Sequence, residues 1–567
     1  MKSYLIKILK ILLLSVSLLY AKEKTAVKLV DFSTRNFAVQ SFKVIKSIDV
    51  TVKSFGSLSR SKSLVARAWI LRSGDRQVVW KMKKSGVKRR SRFLVELKEK
   101  IKLSAGCYEL YFAVEPETRF VQIRGVSDLV DGLINRERIT QRRRRAALKW
   151  GVELSVDEAE FSYITVTQKC DCDFKPVVSI TPVEDNSGLS EGFALCRPAD
   201  LRVYAIGEGT SRVMDDYGWI IDEDRCKVVW KMDYKRTVNA GGAAKNRKID
   251  EVISLPAGNY RVYFVTDNSH SFEEWNAMPP DDPYFYGITL WETDSDGSTV
   301  SDYVNRYENN IIADLSKAGR DRLYKKVFRL NKPMNVRILA LGEMSGSSFA
   351  DYGWMLNLYT REVVWSMKKS NTMHAGGARK NRMFFNTIHL EPGTYEVMFL
   401  TDDSHSFGRW NEALPFNPDA WGVTIWTEDE FSAEDVEKDV FYRDDNVIAC
   451  IKEVKNNQHR KVHFRIKNGR KVRIYSIGEA EGPDRFYDFG WIEDSSGKIV
   501  WKPEYRMAKP AGGARKNIKI DTEIYLNEGA YTLHYKSDGS HAFGRWNSSP
   551  PYDPEYWGIC VMEIINK

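Results

Sequence analysis

The sequence predicts an all-β fold: four tandem antiparallel β-sandwich domains, jelly-roll-like in size, the first divergent and carrying a helical insertion. Three observations predict it. The text DDYGWI, ADYGWM and YDFGWI recurs around Trp219, Trp354 and Trp491, and TDNSHSFEEWN, TDDSHSFGRWN and SDGSHAFGRWN follow in the same order. His270, His405 and His541 are spaced by about 135 residues, a period of whole domains rather than of small solenoid units. Alternating runs bounded by turn residues are frequent, and helical periodicity is almost absent.

Each full copy follows one plan. A short apolar run opens it (Ile311 to Asp314 in one copy), and a Phe-led run follows at Phe193, Phe328 and Phe464. Val336 to Glu343 then alternates with period two, as a strand with one buried face does. The Gly-Trp segment and the Val-Trp segment flank a short turn such as Asp494 to Gly497, a hairpin signature. An Ala-Gly-Gly-Ala loop, a further strand, the Gly-x-Tyr turns at Gly258, Gly393 and Gly529, the histidine loop and a closing strand complete the copy. Short strands at this spacing leave no room for crossover helices, so the sheets are expected to be antiparallel.

The expected boundaries are 25–156 for a divergent basic sandwich, then 174–294, 309–429 and 446–567 for the three full copies. The first copy keeps the Val-Trp strand at Trp80, the Gly-x-Tyr turn at Gly106 and the closing strand at Trp150 to Leu154. It lacks the histidine loop, and 126–149 reads there as an arginine-rich amphipathic helix. Residues 157–173, 294–308 and 429–445 read as polar linkers.

Lys2, Lys7 and Lys10 precede the short apolar run Ile11 to Leu19, with a small residue at Ala21, so 1–21 reads as a signal peptide. Periplasmic or extracellular localisation follows as an expectation. No later stretch approaches 18 uninterrupted apolar residues, so no transmembrane segment is expected after cleavage. Seven cysteines in 567 residues are too few for a disulfide scaffold; Cys450 and Cys560 could pair or remain thiols. Much of the net charge of +10 lies in the first domain, at Lys83, Lys84, Lys88, Arg89, Arg90, Arg92 and Arg142 to Arg145. An anionic surface or polymer is a candidate partner for it. Nothing resembles a nucleic-acid module.

The residues that recur across the copies fall into two groups. The apolar and turn-forming ones need only packing to explain them. The polar ones sit in loops, where core packing explains little. Candidate ligand-binding residues are Lys245, Asp267, His270, Trp275 and Asn276; Lys380, Asp402, His405, Trp410 and Asn411; and Lys516, Asp538, His541, Trp546 and Asn547. Glu208, Asp216 and Asn246, with Glu343, Asp351 and Asn381, and Glu479, Asp488 and Asn517, recur with them.

Three readings fit this set. It is an internal hydrogen-bond network holding two loops to the sandwich. Or it is a pocket whose Trp face and polar groups take a polysaccharide or cell-envelope polymer, with avidity from three copies. Or it holds a metal: no cofactor is required by any motif, but Asp with Glu and loop carbonyls suits calcium, and Asp with His suits zinc. Catalysis is not expected. Asp267, Ser269 and His270 have the residue types of a triad, but neighbouring Ser and His rarely point together and no G-x-S-x-G elbow accompanies them. The favoured expectation is an exported, non-catalytic binding or surface-interaction protein; a structural envelope spacer and a secreted hydrolase are the alternatives.

The strand-turn-strand from Asp494 to Trp501 and the Gly-x-Tyr strands at Tyr260, Tyr395 and Tyr531 resemble those of bacterial pre-peptidase C-terminal domains. That resemblance implies an exported sandwich. The SHSF–WN loop lies outside the family pattern, so no site residue is carried over from it.

Overall fold

Strand pairing in the computed structural model is antiparallel throughout the named strands, and the chain divides between Val304 and Asn305 into two compact units. The described residues are 23–59, 63–116, 141–169, 175–293, 299–301, 303, 310–346, 348–429, 431–432 and 434–564. The proposed signal peptide, and residues 126–140 of the expected helix, lie outside them. Each unit holds two sandwiches.

The fourth sandwich shows the plan. One sheet runs Val447–Ile451, Gly558–Glu563, Arg470–Gly482, Asn517–Leu526, and the other His459–Ile466, Gly529–Lys536, Arg485–Asp494, Ile499–Trp501. In chain order that is first-eighth-third-sixth against second-seventh-fourth-fifth, the strand order of a jelly roll. The short strand Lys509–Pro510 adds to the first sheet beyond Asn517–Leu526. The second and third sandwiches repeat the same order. So does the first, with Leu94–Leu103 in the place of Asn517–Leu526.

The Gly-x-Tyr turn recurs because its tyrosine anchors a corner. Tyr108, Tyr260, Tyr395 and Tyr531 donate their hydroxyls to the carbonyls of Ser104, Pro256, Glu391 and Asn527, each four residues upstream. The Phe-led strands pair directly opposite. Phe42, Phe193, Phe328 and Phe464 stack on these tyrosines at 5.2–5.6 Å. Aromatic pairs in that position add to area burial.

The segments expected to be linkers also form strands. Ile164–Thr167, Val300–Ser301 and Val436–Lys438 each return to pair with the Phe-led strand of their own sandwich. Their polarity comes from lying at a sheet edge, where one face meets water. Residues 141–147 are helical, with Arg142, Arg144 and Arg145 exposed. Lys83, Lys84, Lys88, Arg89, Arg90 and Arg92 lie on the edge strand Lys88–Ser91 and beside it, and are exposed. Cys450 and Cys560 sit opposite each other on paired strands and form a disulfide.

Candidate functional site

The sheet register assembles the recurring polar set. On the central strand Met334–Ser345, Glu343 pairs with Asn381 on one side and with Asp351 on the other. Glu479 stands likewise between Asn517 and Asp488. Three polar residues from three strands therefore meet at one end of the third sandwich and of the fourth, under the histidine loop.

The histidine itself is enclosed. His270, His405 and His541 are fully buried, with positive φ. Their Nε2 atoms lie 2.6, 2.7 and 2.6 Å from the Oδ1 atoms of Asn246, Asn381 and Asn517. Asn381 Nδ2 in turn donates to the carbonyls of Gly376 at 2.8 Å and Ala413 at 3.0 Å. Asn246 and Asn517 make the same two bonds to their own loops. Because the amide oxygen only accepts, Nε2 carries the proton. The chain of bonds ties the histidine loop to the Gly-Gly loop.

That pairing explains the Gly-Gly motif. Gly513, at φ +64°, packs so closely that a Cβ would lie 1.9 Å from the Pro550 carbonyl oxygen; Gly242 and Gly377 are hemmed in by Pro279 and Leu414 in the same way. The loop is closed against the exit of the histidine loop.

The aspartates organise the loop entry. Oδ1 of Asp267, Asp402 and Asp538 accepts the amide of the serine two residues on, at 2.7–2.8 Å. Their own amides donate to the buried carboxylates of Asp216, Asp351 and Asp488, at 2.8 Å each. The second oxygen of those carboxylates accepts from Tyr286, Trp421 or Trp557. Tyr and Trp alternate at that position because either supplies the same donor. Burial pushes Asp216 and Asp351 up to about 8 and Asp488 up to about 7. Burial, then the nearby lysine charge, pulls His405 and His541 down to about 4, so both are neutral at pH 7.

The remaining site residues form a rim. Lys245, Lys380 and Lys516 pair with Glu208, Glu343 and Glu479 at 2.8, 3.1 and 3.0 Å. Lys380 and Lys516 also donate to the exposed Asn411 and Asn547. Asn276 is exposed as well, as is Asp267, whereas Asp402 and Asp538 are half-buried. Trp275, Trp410 and Trp546 are half-buried and stand edge-on to their histidine at 5.0–5.2 Å. The Ser404 hydroxyl bonds Asp402, and both ring nitrogens of His405 face asparagines. In that geometry the Ser404 hydroxyl is turned to Asp402 rather than to the histidine.

A second set of recurring residues was missed in the sequence. In the first unit, Arg76 reaches from the first sandwich to Asp282 of the second (Nε to Oδ2 2.8 Å) and lies 4.0 Å above the Phe285 ring. In the second unit, Arg361 lies 3.6 Å from Asp553 and 3.7 Å above the Tyr556 ring. Tyr204 and Tyr475 donate to the same aspartates, and Trp69 and Trp354 donate to the carbonyls of Asp281 and Tyr552. Both units thus dock their sandwiches with one chemistry. The signal was available: four residues before the Val-Trp tryptophan stand Arg76, Cys226, Arg361 and Gly497, all with positive φ. The Asp-Pro position reads Asp282, Asn417 and Asp553. A cleft of about 490 Å³ opens at the second of these interfaces, lined by Arg361, Trp365, Tyr552 and Asp553 among others.

No family model and no curated protein matches the chain. Among solved structures, a chain from the X-ray structure of the entire lipid-containing bacteriophage PM2 is similar over 71% of this chain and 98% of that one, with 10% identity and a TM-score of 0.11. A similarity of that size supports no statement about fold or function.

Proposed function

We propose that this chain is an exported, non-catalytic surface-interaction scaffold whose repeated polar loops act as internal clamps. The observation that carries this reading is the buried relay from His405 through Asn381 to two loop carbonyls, repeated around His270 and His541. Groups that spend their hydrogen bonds on their own backbone rigidify a fold rather than meet a ligand. The two Arg–Asp docked pairs add to the same reading, because they fix one sandwich against the next. The Cys450–Cys560 disulfide supports export, since such bonds persist in oxidising compartments.

A second reading keeps a polysaccharide at the rim. It is favoured by the half-buried Trp410 and Trp546 beside the exposed Asn411 and Asn547. Pull-down of the full chain on insoluble polysaccharides, with thermal melting of each variant, separates the two. The clamp reading expects His405→Gln and His541→Gln to lower the melting temperature and leave retention unchanged. Retention by the wild type that is lost in a folded Trp410→Ala, Trp546→Ala variant would establish the rim site instead. Turnover of any ester or glycoside that depends on His405 would overturn both.

A further inference from the structure

Two groups of three carboxylates close on one another in the second unit. Glu343, Asp351 and Asp402 each place a carboxylate oxygen within 4.8 Å of the others, and Glu479, Asp488 and Asp538 do the same. Among the described residues these groups belong to the third and fourth sandwiches.

Proximity of acids is not in itself a site, but the glutamates add a separate observation. Glu343 and Glu479 are each only 5% exposed, and the Oε2 of each is buried with no hydrogen-bond partner. Oε1 of each is taken by the lysine, at 3.1 and 3.0 Å. A buried carboxylate oxygen with nothing donating to it, on a residue grouped with two further carboxylates, is costly unless something positive lies there. The lysine offsets one charge. With all three carboxylates ionised, as a bound cation would favour, and one ammonium beside them, each group would carry two negative charges.

We propose that the third and fourth sandwiches each bind one divalent cation of calcium type, held by Glu343, Asp351 and Asp402 and by Glu479, Asp488 and Asp538. The donor set selects the metal class. All the carboxylate atoms of the two groups are hard oxygens, which suit calcium or magnesium, while both ring nitrogens of His405 and Nε2 of His541 are turned to asparagines. The partly exposed Asp402 and Asp538 leave the site open to water, which completes the coordination of such ions. A bound ion would join the central strand, the Gly-Trp strand and the histidine loop.

The test is calorimetric titration of calcium chloride into the chelator-treated full chain at pH 7.5, with thermal melting alongside. Two equivalents should bind, and the melting temperature should rise with calcium. Glu343→Gln should bind one equivalent, and Glu343→Gln with Glu479→Gln none. Should those variants fail to fold, terbium on the wild type provides the second measurement. The Trp421 and Trp557 indoles bond Asp351 and Asp488, so excitation of tryptophan should sensitise terbium emission, and calcium should quench it. Absence of heat, melting shift and terbium emission at millimolar ion would overturn the proposal. So would a double variant that binds as the wild type does. Stability that rises on acidification from pH 9 to 6 without any calcium dependence would also overturn it, assigning the carboxylates to a shared proton.

Discussion

The guanidinium of Arg361 lies 3.7 Å above the ring of Tyr556, a residue of the next sandwich, and donates to its hydroxyl at 2.7 Å. Arg76 stands over Phe285 in the first unit in the same manner. Both arginines occupy a left-handed turn position and are almost fully buried, and each neutralises acidic groups from two directions.

Arg361→Met should therefore destabilise the second unit by about 3–5 kcal/mol, the usual cost of leaving a buried charge unpaired. Arg76→Met should do the same in the first. Urea unfolding checks both. Adding Asp553→Asn to Arg361→Met should restore part of the loss, because the orphaned carboxylate is then removed.

Acid should weaken the histidine clamps. A folded pKa of about 4 for His405 and His541, against about 6.5 unfolded, means the unfolded chain takes up more protons between those values. Their contribution is complete above pH 6.5 and is lost as pH falls towards 4, at up to about 1.4 kcal/mol per pH unit for each. Urea midpoints at pH 7 and pH 5 should differ, and the difference should shrink in a His405→Gln, His541→Gln variant.

Gly513→Ala and Gly377→Ala should each cost stability. The backbone conformation alone accounts for about 1–3 kcal/mol. The carbonyl 1.9 Å from the added Cβ forces the histidine-loop exit to move as well. A lowered melting temperature together with faster hydrogen exchange at Asn517 or Asn381 is the expected outcome.

Loss of the Cys450–Cys560 bond, by reduction or by paired serine substitution, should cost about 2–5 kcal/mol. The bond closes a loop of 110 residues, so the unfolded chain gains much freedom without it. Chemical unfolding with and without reductant measures the effect.

The exposed basic residues of the first domain should retain the chain on a sulfated polysaccharide column, with elution shifting to lower salt in Arg142→Ala, Arg144→Ala, Arg145→Ala. Retention that does not respond to salt would leave these residues as a solvated edge, in keeping with the charged strand Lys88–Ser91 that protects a sheet margin.

Much of the fold was legible in the sequence because repetition amplified it. The Gly-x-Tyr turn, the Phe-led strand and the Val-Trp strand recur at fixed offsets, and each has a local physical cause such as the Tyr531 hydroxyl bond to Asn527. The edge strands Val300–Ser301 and Val436–Lys438 were not legible. They are short and polar, and only the neighbour they pair with makes them strands. The membership of the polar cluster was legible, but not which members face inward. Burial of His405 depends on how its own loop folds back, with Trp410 and Trp421 closing over it and Asn381 reaching it from another strand. The interdomain arginines were hidden because their partners lie about 200 residues away, as with Arg76 and Asp282.

Nitrogen-15 NMR of the His405 and His541 imidazoles is the most direct measurement of the clamp. Neutral rings protonated at Nε2, slow to exchange with water and still untitrated at pH 5.5, are the predicted result. Rings that exchange rapidly and titrate near pH 6.5 would place these side chains in solvent and contradict the account.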